Sequence, residues 1–122
     1  MIVISFINQT SILQLRDYEM SQIHSYASFD ISRRTLAAGN VVGNLIIQVT
    51  DQSVRLMETG VHGQLLDEWI PKDNSQVTVA SLNPTQCVLS TGHGRLFVLE
   101  VQDRRIVQTG LVDLCTDAYM LY

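Results

Sequence analysis

Leu36-Ala37-Ala38-Gly39-Asn40-Val41-Val42-Gly43-Asn44-Leu45-Ile46-Ile47-Gln48-Val49-Thr50-Asp51-Gln52-Ser53-Val54-Arg55-Leu56-Met57 is the stretch on which the fold turns. It reads as short strands rich in Val and Ile, broken by Gly-Asn and Asp-Gln turns. The same pattern comes back further along. Ala38-Gly39-Asn40 followed by Leu45-Ile46-Ile47 returns as Ser81-Leu82-Asn83 followed by Val88-Leu89-Ser90. Val54-Arg55-Leu56-Met57 returns as Leu96-Phe97-Val98-Leu99. The offset is about 42 residues, the spacing of one four-stranded propeller blade. A meander of that size cannot cover both faces of its own sheet, so it is expected to stack on copies of itself.

The expected fold is therefore all-β: a fragment of a β-propeller of the WD-repeat-like kind, with two complete blades and partial ones at the ends. Residues 1–24 read as a partial blade: Ile2-Val3-Ile4-Ser5-Phe6-Ile7 is one strand, Ser11-Ile12-Leu13-Gln14-Leu15 another and residues 20–23 a weak edge strand. Residues 24–34 have no clear period and read as a connector. Residues 35–70 form one blade, with Leu45, Ile47 and Val49 on one face and Ile46, Gln48 and Thr50 on the other. Pro71 stops its outer strand because proline cannot donate to a ladder. Residues 75–110 form the next blade, with turns at Asn83-Pro84-Thr85, Gly92-His93-Gly94 and Gln102-Asp103. Residues 111–122 read as the opening of a further blade or as a tail outside the repeat. With 122 residues, the chain is too short to close a propeller ring, which takes at least about four blades. The expected parent is a longer protein of which this is a piece.

Composition narrows the function classes. The formal charge is −4, and the eight basic residues, of which Lys72 is the sole lysine, are scattered. A chain that binds nucleic acid by charge carries a basic stripe, and none is present. Cys87 and Cys115 lie far apart without Cys-x-x-Cys or Cys/His ligand spacing, which argues against zinc. Cys87 sits in an apolar strand and reads as a buried thiol acting as a small hydrophobe. No run approaches the length of a membrane span. The apolar N-terminus lacks the basic leader and small-residue site of a signal peptide. Asn8-Gln9-Thr10 matches a glycosylation acceptor, but without that signal it reads as chance.

No catalytic constellation emerges. Gly92-His93-Gly94-Arg95 resembles a phosphate cradle, but it joins two strands and leads into no helix N-terminus, so a plain turn is the better reading. His24, His62 and His93 are isolated from acidic or cysteine partners. Asp67 and Glu68 are neighbours on a strand and point to opposite faces, so they cannot act as a carboxylate pair. Trp69 is expected to pack between blades rather than to anchor a partner. Arg55 and Arg95, at matching places in their repeats, read as solvated or ion-paired strand residues. The expectation is a protein that is not an enzyme, with no cofactor, no metal and no assignable partner-binding residue. Its blades would hold loops such as residues 59–64 and 91–94 in fixed positions.

The ordered phrases also carry a resemblance. Ser5-Phe6-Ile7-Asn8-Gln9-Thr10 resembles an S-F-V-x-x-T hairpin. Gly39-Asn40-Val41, residues 45–50, Ser53-Val54-Arg55-Leu56, Asp67-Glu68-Trp69, Val79-Ala80-Ser81-Leu82-Asn83, Gln86-Cys87-Val88-Leu89 and Leu96-Phe97-Val98-Leu99-Glu100 follow in order. Together, from Val3 to Val101, they resemble the large propeller proteins related to the UV-damaged-DNA-binding protein large subunit. The splicing factor 3b large propeller subunit and the cleavage and polyadenylation specificity factor large subunit share that family. The Gln-Val-Thr, Ser-Val-Arg-Leu and Asp-Glu-Trp phrases look most like the first. Members of the family join three propellers in one chain, and this piece resembles part of the middle one. The resemblance implies a nuclear adaptor of a cullin-type ubiquitin ligase acting in DNA damage repair, with presence in the cytoplasm also compatible. Its partners would be a cullin scaffold and substrate receptors, with nucleic acid reached through the complex and no membrane. The alternative it implies is a nucleic-acid-binding or RNA-processing propeller subunit.

Overall fold

The computed structural model describes residues 2–5, 8–23 and 26–113. Eleven strands among them form three antiparallel sheets, each a meander in which every strand pairs with its sequence neighbour. β1 (Ile2–Ser5), β2 (Thr10–Arg16) and β3 (Glu19–Ile23) make the first sheet. β4 (Thr35–Val41), β5 (Leu45–Thr50), β6 (Val54–Glu58) and β7 (Leu65–Trp69) make the second. β8 (Val77–Leu82), β9 (Gln86–Thr91), β10 (Arg95–Gln102) and β11 (Arg105–Asp113) make the third. No helix of the described residues is long and apolar enough to cross a membrane.

The second and third sheets enclose the main core. Val41, Leu45, Ile47, Val49, Val54 and Leu56 from one face meet Val77, Cys87, Leu89, Phe97 and Leu99 from the other. Their alternation along each strand follows from the period of the pleat. Trp69 at the end of β7 crosses this gap and meets Phe97 of β10 edge-on, with centroids 5.0 Å apart and planes at 62°. The expected packing of Trp69 between sheets is what the structure has, in the geometry that the ring quadrupoles favour.

Backbone hydrogen bonds then tie the sheets together at both ends. Val42 N–H donates to Pro84 O at 2.9 Å, and Val77 N–H to Asp51 O at 2.8 Å. On the other side of the second sheet, Thr10 N–H donates to Ile31 O at 3.0 Å, and Thr10 Oγ1 donates to Arg33 O at 2.6 Å. Residues 26–34, the described part of the connector expected over 24–34, are thus held against both neighbouring sheets and contain no strand.

β5 departs from simple alternation. All six of its residues are buried, including Gln48 and Thr50. A strand covered by sheets on both sides has no solvent face, so the polar residues of its second face must find partners inside. Gln48 does so with the connector. Its Oε1 accepts from Asp30 N–H at 2.8 Å, and its Nε2 donates to Asp30 O at 3.0 Å and to Thr35 Oγ1 at 2.8 Å.

Two boundaries differ from the sequence reading. The last hairpin turns at Asp103-Arg104, not at Gln102-Asp103, with φ of 51° and 62°. Two successive positive φ values make a two-residue turn whose twist matches that of the strands. Asp17-Tyr18 repeats it, with φ of 52° and 65°. Leu111, which was expected to open another unit, instead continues β11 to Asp113, paired through Phe97↔Leu111 and Arg95↔Asp113. A register shift between Val98 and Leu99 absorbs the extra residue and carries the strand on. Residues 114–122, with Cys115, lie outside the described part, as does His24.

Cys87 is buried on β9. Burial away from water disfavours the thiolate and pushes its pKa up to about 11 from an ordinary 9.0. The native state therefore holds this proton more tightly than the unfolded chain does. Its contribution to stability is complete below pH 9 and declines as pH rises towards 11. A stability loss of about 1 kcal/mol is expected by pH 10, and a Cys87→Val chain should lack that part of the alkaline loss. Equal alkaline slopes in denaturant titrations of the two chains would contradict the assignment.

Candidate interaction surface

Strand direction sorts the turns into two groups. Residues 42–44, 59–64, 83–85 and 103–104 lie at one end of the sheets, and residues 51–52, 70–76 and 92–94 at the other. The sequence-predicted display loops 59–64 and 91–94 therefore sit at opposite ends and cannot make one continuous surface. Both are rigidly founded. In the first, Glu58 N–H donates to Gln64 O at 3.0 Å and Gly63 N–H to Gly60 O at 3.0 Å. A Cβ on Gly63 would stand 1.9 Å from Glu58 O, so the loop can close only on glycine. In the second, Gly94 N–H donates to Thr91 O at 3.1 Å, and Gly92 N–H to Gln76 O at 2.9 Å. Gly92-His93-Gly94 is a hairpin turn with Gly94 at φ 75°, as its residue types suggest.

Several charged residues are spent on one another. Arg55 donates to Glu68 Oε2 at 2.8 Å and to Ser28 O at 2.8 Å, pinning the connector to β6. Arg95 lies 3.3 Å from Asp73 and 4.0 Å from Asp113. Hydrogen bonding from Ser75, followed by the Arg95 charge, holds the Asp73 carboxyl below its ordinary value. Arg104 reaches Glu58 at 3.1 Å and Arg33 reaches Asp51 at 3.5 Å. Arg55 and Arg95 are thus paired strand residues, as read from the sequence.

Asp67 and Glu68 part to different tasks. Glu68 accepts from Arg55 and from Ser53 Oγ, while Asp67 Oδ2 accepts the Ile106 N–H of the next sheet at 2.9 Å. Asp67→Ala should cost about 1 kcal/mol, because a part-buried amide loses its acceptor. Unchanged denaturant midpoints would remove that role. The fastening role of Asp67 was invisible in the sequence, since its partner is a backbone group 39 residues away.

Among the described residues, no three His, Cys, Asp or Glu side chains gather as a metal would require. Open clefts remain, two of them lined in part by these charged residues. One, of about 400 Å³, is polar and lies among Asp30, Arg33, Ser53, Glu68, Asn74 and Ser75. The other, of about 310 Å³, opens between β7 and β11 over Trp69 and Phe97. The first does hold Ser53 Oγ on Glu68 Oε2 at 3.0 Å, but Arg55 is paired with that same oxygen. What this arrangement can do is present fixed turns and shallow clefts to another macromolecule.

Comparison with known proteins agrees with this architecture. The family model described as the RSE1/DDB1/CPSF1 second beta-propeller matches residues 1–118. That match runs past Val101 and into the segment read as the opening of a further blade or as a tail. DNA damage-binding protein 1 of Oryza sativa subsp. japonica is 34% identical over 113 residues, covering 93% of this chain and 10% of that protein. DNA damage-binding protein 1a of Arabidopsis thaliana is 34% identical over 110 residues, covering 88% of this chain and 10% of that protein. The protein named DNA damage-binding protein 1 in Solanum lycopersicum is 34% identical over 102 residues, covering 84% of this chain and 9% of that protein. The chain thus spans about a tenth of the length of the curated relatives that it matches. An all-β stack of antiparallel meanders that carries this match over nearly its whole length belongs to the RSE1/DDB1/CPSF1 second β-propeller family.

Proposed function

We propose that this chain is a non-catalytic interaction scaffold, a segment of the middle propeller of an adaptor that links a cullin-type ubiquitin ligase to substrate receptors in DNA damage repair. Residues 35–70 and 75–110 would be its blades, and residues 1–24 part of another. The observation that carries the reading is the way the second and third sheets are locked. Backbone bonds at both ends and the Trp69–Phe97 contact hold them as one rigid wedge whose turns keep fixed spacings. Rigid presentation lowers the ordering cost that a partner must overcome on binding. The proposed site of action is the nucleus, and contact with nucleic acid would come through the assembly, because the basic residues are scattered and form no track.

The test is affinity purification of the whole protein from its own cells, followed by mass spectrometry. Recovery of a cullin together with propeller-type substrate receptors supports the proposal. Recovery of splicing or polyadenylation factors with no cullin overturns it in favour of an RNA-processing subunit.

A further inference from the structure

The cleft between β7 and β11 is closed at one end and open at the other. Asp67 Oδ2 on Ile106 N–H draws the outer strands together at the closed end. Towards the opposite end lies a cleft of about 310 Å³. That is the small end of the range for ligand pockets, room for a side chain or two rather than a large cofactor. It lies wholly between the second and third sheets, so it needs no neighbouring blade to exist.

Its chemistry is specific. Phe97, 7% exposed, forms the floor, with Trp69 edge-on against it. Leu111, opposite Phe97 in the register, stands at the mouth with 52% of its surface in water. A large apolar side chain left exposed beside an aromatic floor makes an anchor site for another apolar group. At the rim, Arg95 is engaged by Asp73 and Asp113. Lys72 also lines the cleft, is exposed, and among the described residues is in no ion pair.

We propose that this cleft binds a short segment of a protein partner, with an aliphatic side chain seated over Phe97 and an adjoining carboxylate paired with Lys72. A single carboxylate fits better than a phosphate backbone, because Asp73 and Asp113 would repel a polyanion. Base stacking is disfavoured too, since the Trp69 and Phe97 rings meet at 62° and offer no parallel pair of faces as a platform. The inference goes beyond the scaffold reading and does not depend on which assembly the protein joins.

Trp69 is the sole tryptophan of the chain, so its emission reports directly on the cleft. The 122-residue chain is titrated at low concentration with the peptide Gly-Ser-Leu-Glu-Ser-Gly and with the counterpart carrying Lys in place of Glu. The expected result is saturable change with a preference of about threefold or more for the Glu peptide, the scale of one exposed ion pair. Lys72→Glu, at an exposed turn position, should reverse the preference. Leu111→Ser should weaken both peptides several-fold. Equal response to the two peptides, no saturation, a preference that survives Lys72→Glu, or displacement of the peptide by single-stranded oligo(dT) would each overturn the proposal. Because the readout needs no cullin, failure of the ligase reading leaves this result to stand or fall alone.

Discussion

Gln48→Leu is expected to release the connector 26–34 from the second sheet while leaving the sheets paired. The Gln48 amide is fully buried and makes three hydrogen bonds, two to the backbone of Asp30 and one to Thr35 Oγ1. Leucine matches its bulk and offers none of them. The partners left unmet inside the protein cost about 1–3 kcal/mol each, and rewetting of the half-buried connector recovers part of that. A net penalty of about 2–3 kcal/mol on local closure follows, which raises local opening on the order of 30- to 160-fold. Trypsin reads this directly, because Arg33 and Arg34 lie in the connector. Initial cleavage after these residues should rise by that order in Gln48→Leu, with cleavage after Arg55 on β6 changing far less. A cleavage rate within twofold of the wild type would show that the amide network does not hold the connector.

The second large effect concerns the isolated chain, which is expected to associate. The third sheet buries one face against the second and leaves the other open. On that open face Val79 is 65% exposed, and Val88 and Val112 are exposed beside it. The registers Ser81↔Val88, Val98↔Val88 and Leu96↔Val112 place them on one side of the sheet. The first sheet has its own apolar pair, Leu15 at 58% and Met20 at 57%, directly opposite each other. Contiguous apolar surface of this kind seeks cover. Light scattering on the eluting chain should give masses well above 13.7 kDa that grow with concentration. Val79→Glu with Val88→Lys should lower them, because charge on a sheet face opposes stacking. A clean monomer with one sharp cooperative melt would contradict the expectation.

The sequence and the structure agree where local rules suffice. Strand positions from β4 to β10 follow from alternation and turn residues. The turn at Gly92-His93-Gly94, the burial of Cys87 and the packing of Trp69 were legible for the same reason. They depend on residue type and on neighbours in sequence. The candidate surface was legible only in part. Residues 59–64 and 91–94 were recognised as loops, but their separation to opposite ends depends on strand direction in three sheets taken together.

By itself the sequence determined the all-β class, the repeat and the pairing of neighbouring strands, because pleat period and turn chemistry act over a few residues. Only the tertiary structure decided that Gln48 is a buried clamp, that Asp67 fastens one sheet to the next, that β11 runs on to Asp113 and that a cleft opens over Phe97. The run of β11 is set by a register shift against β10, and the others by partners far away in sequence that the fold brings near. The energy of a long-range hydrogen bond or an aromatic contact leaves no mark on the local pattern of either residue.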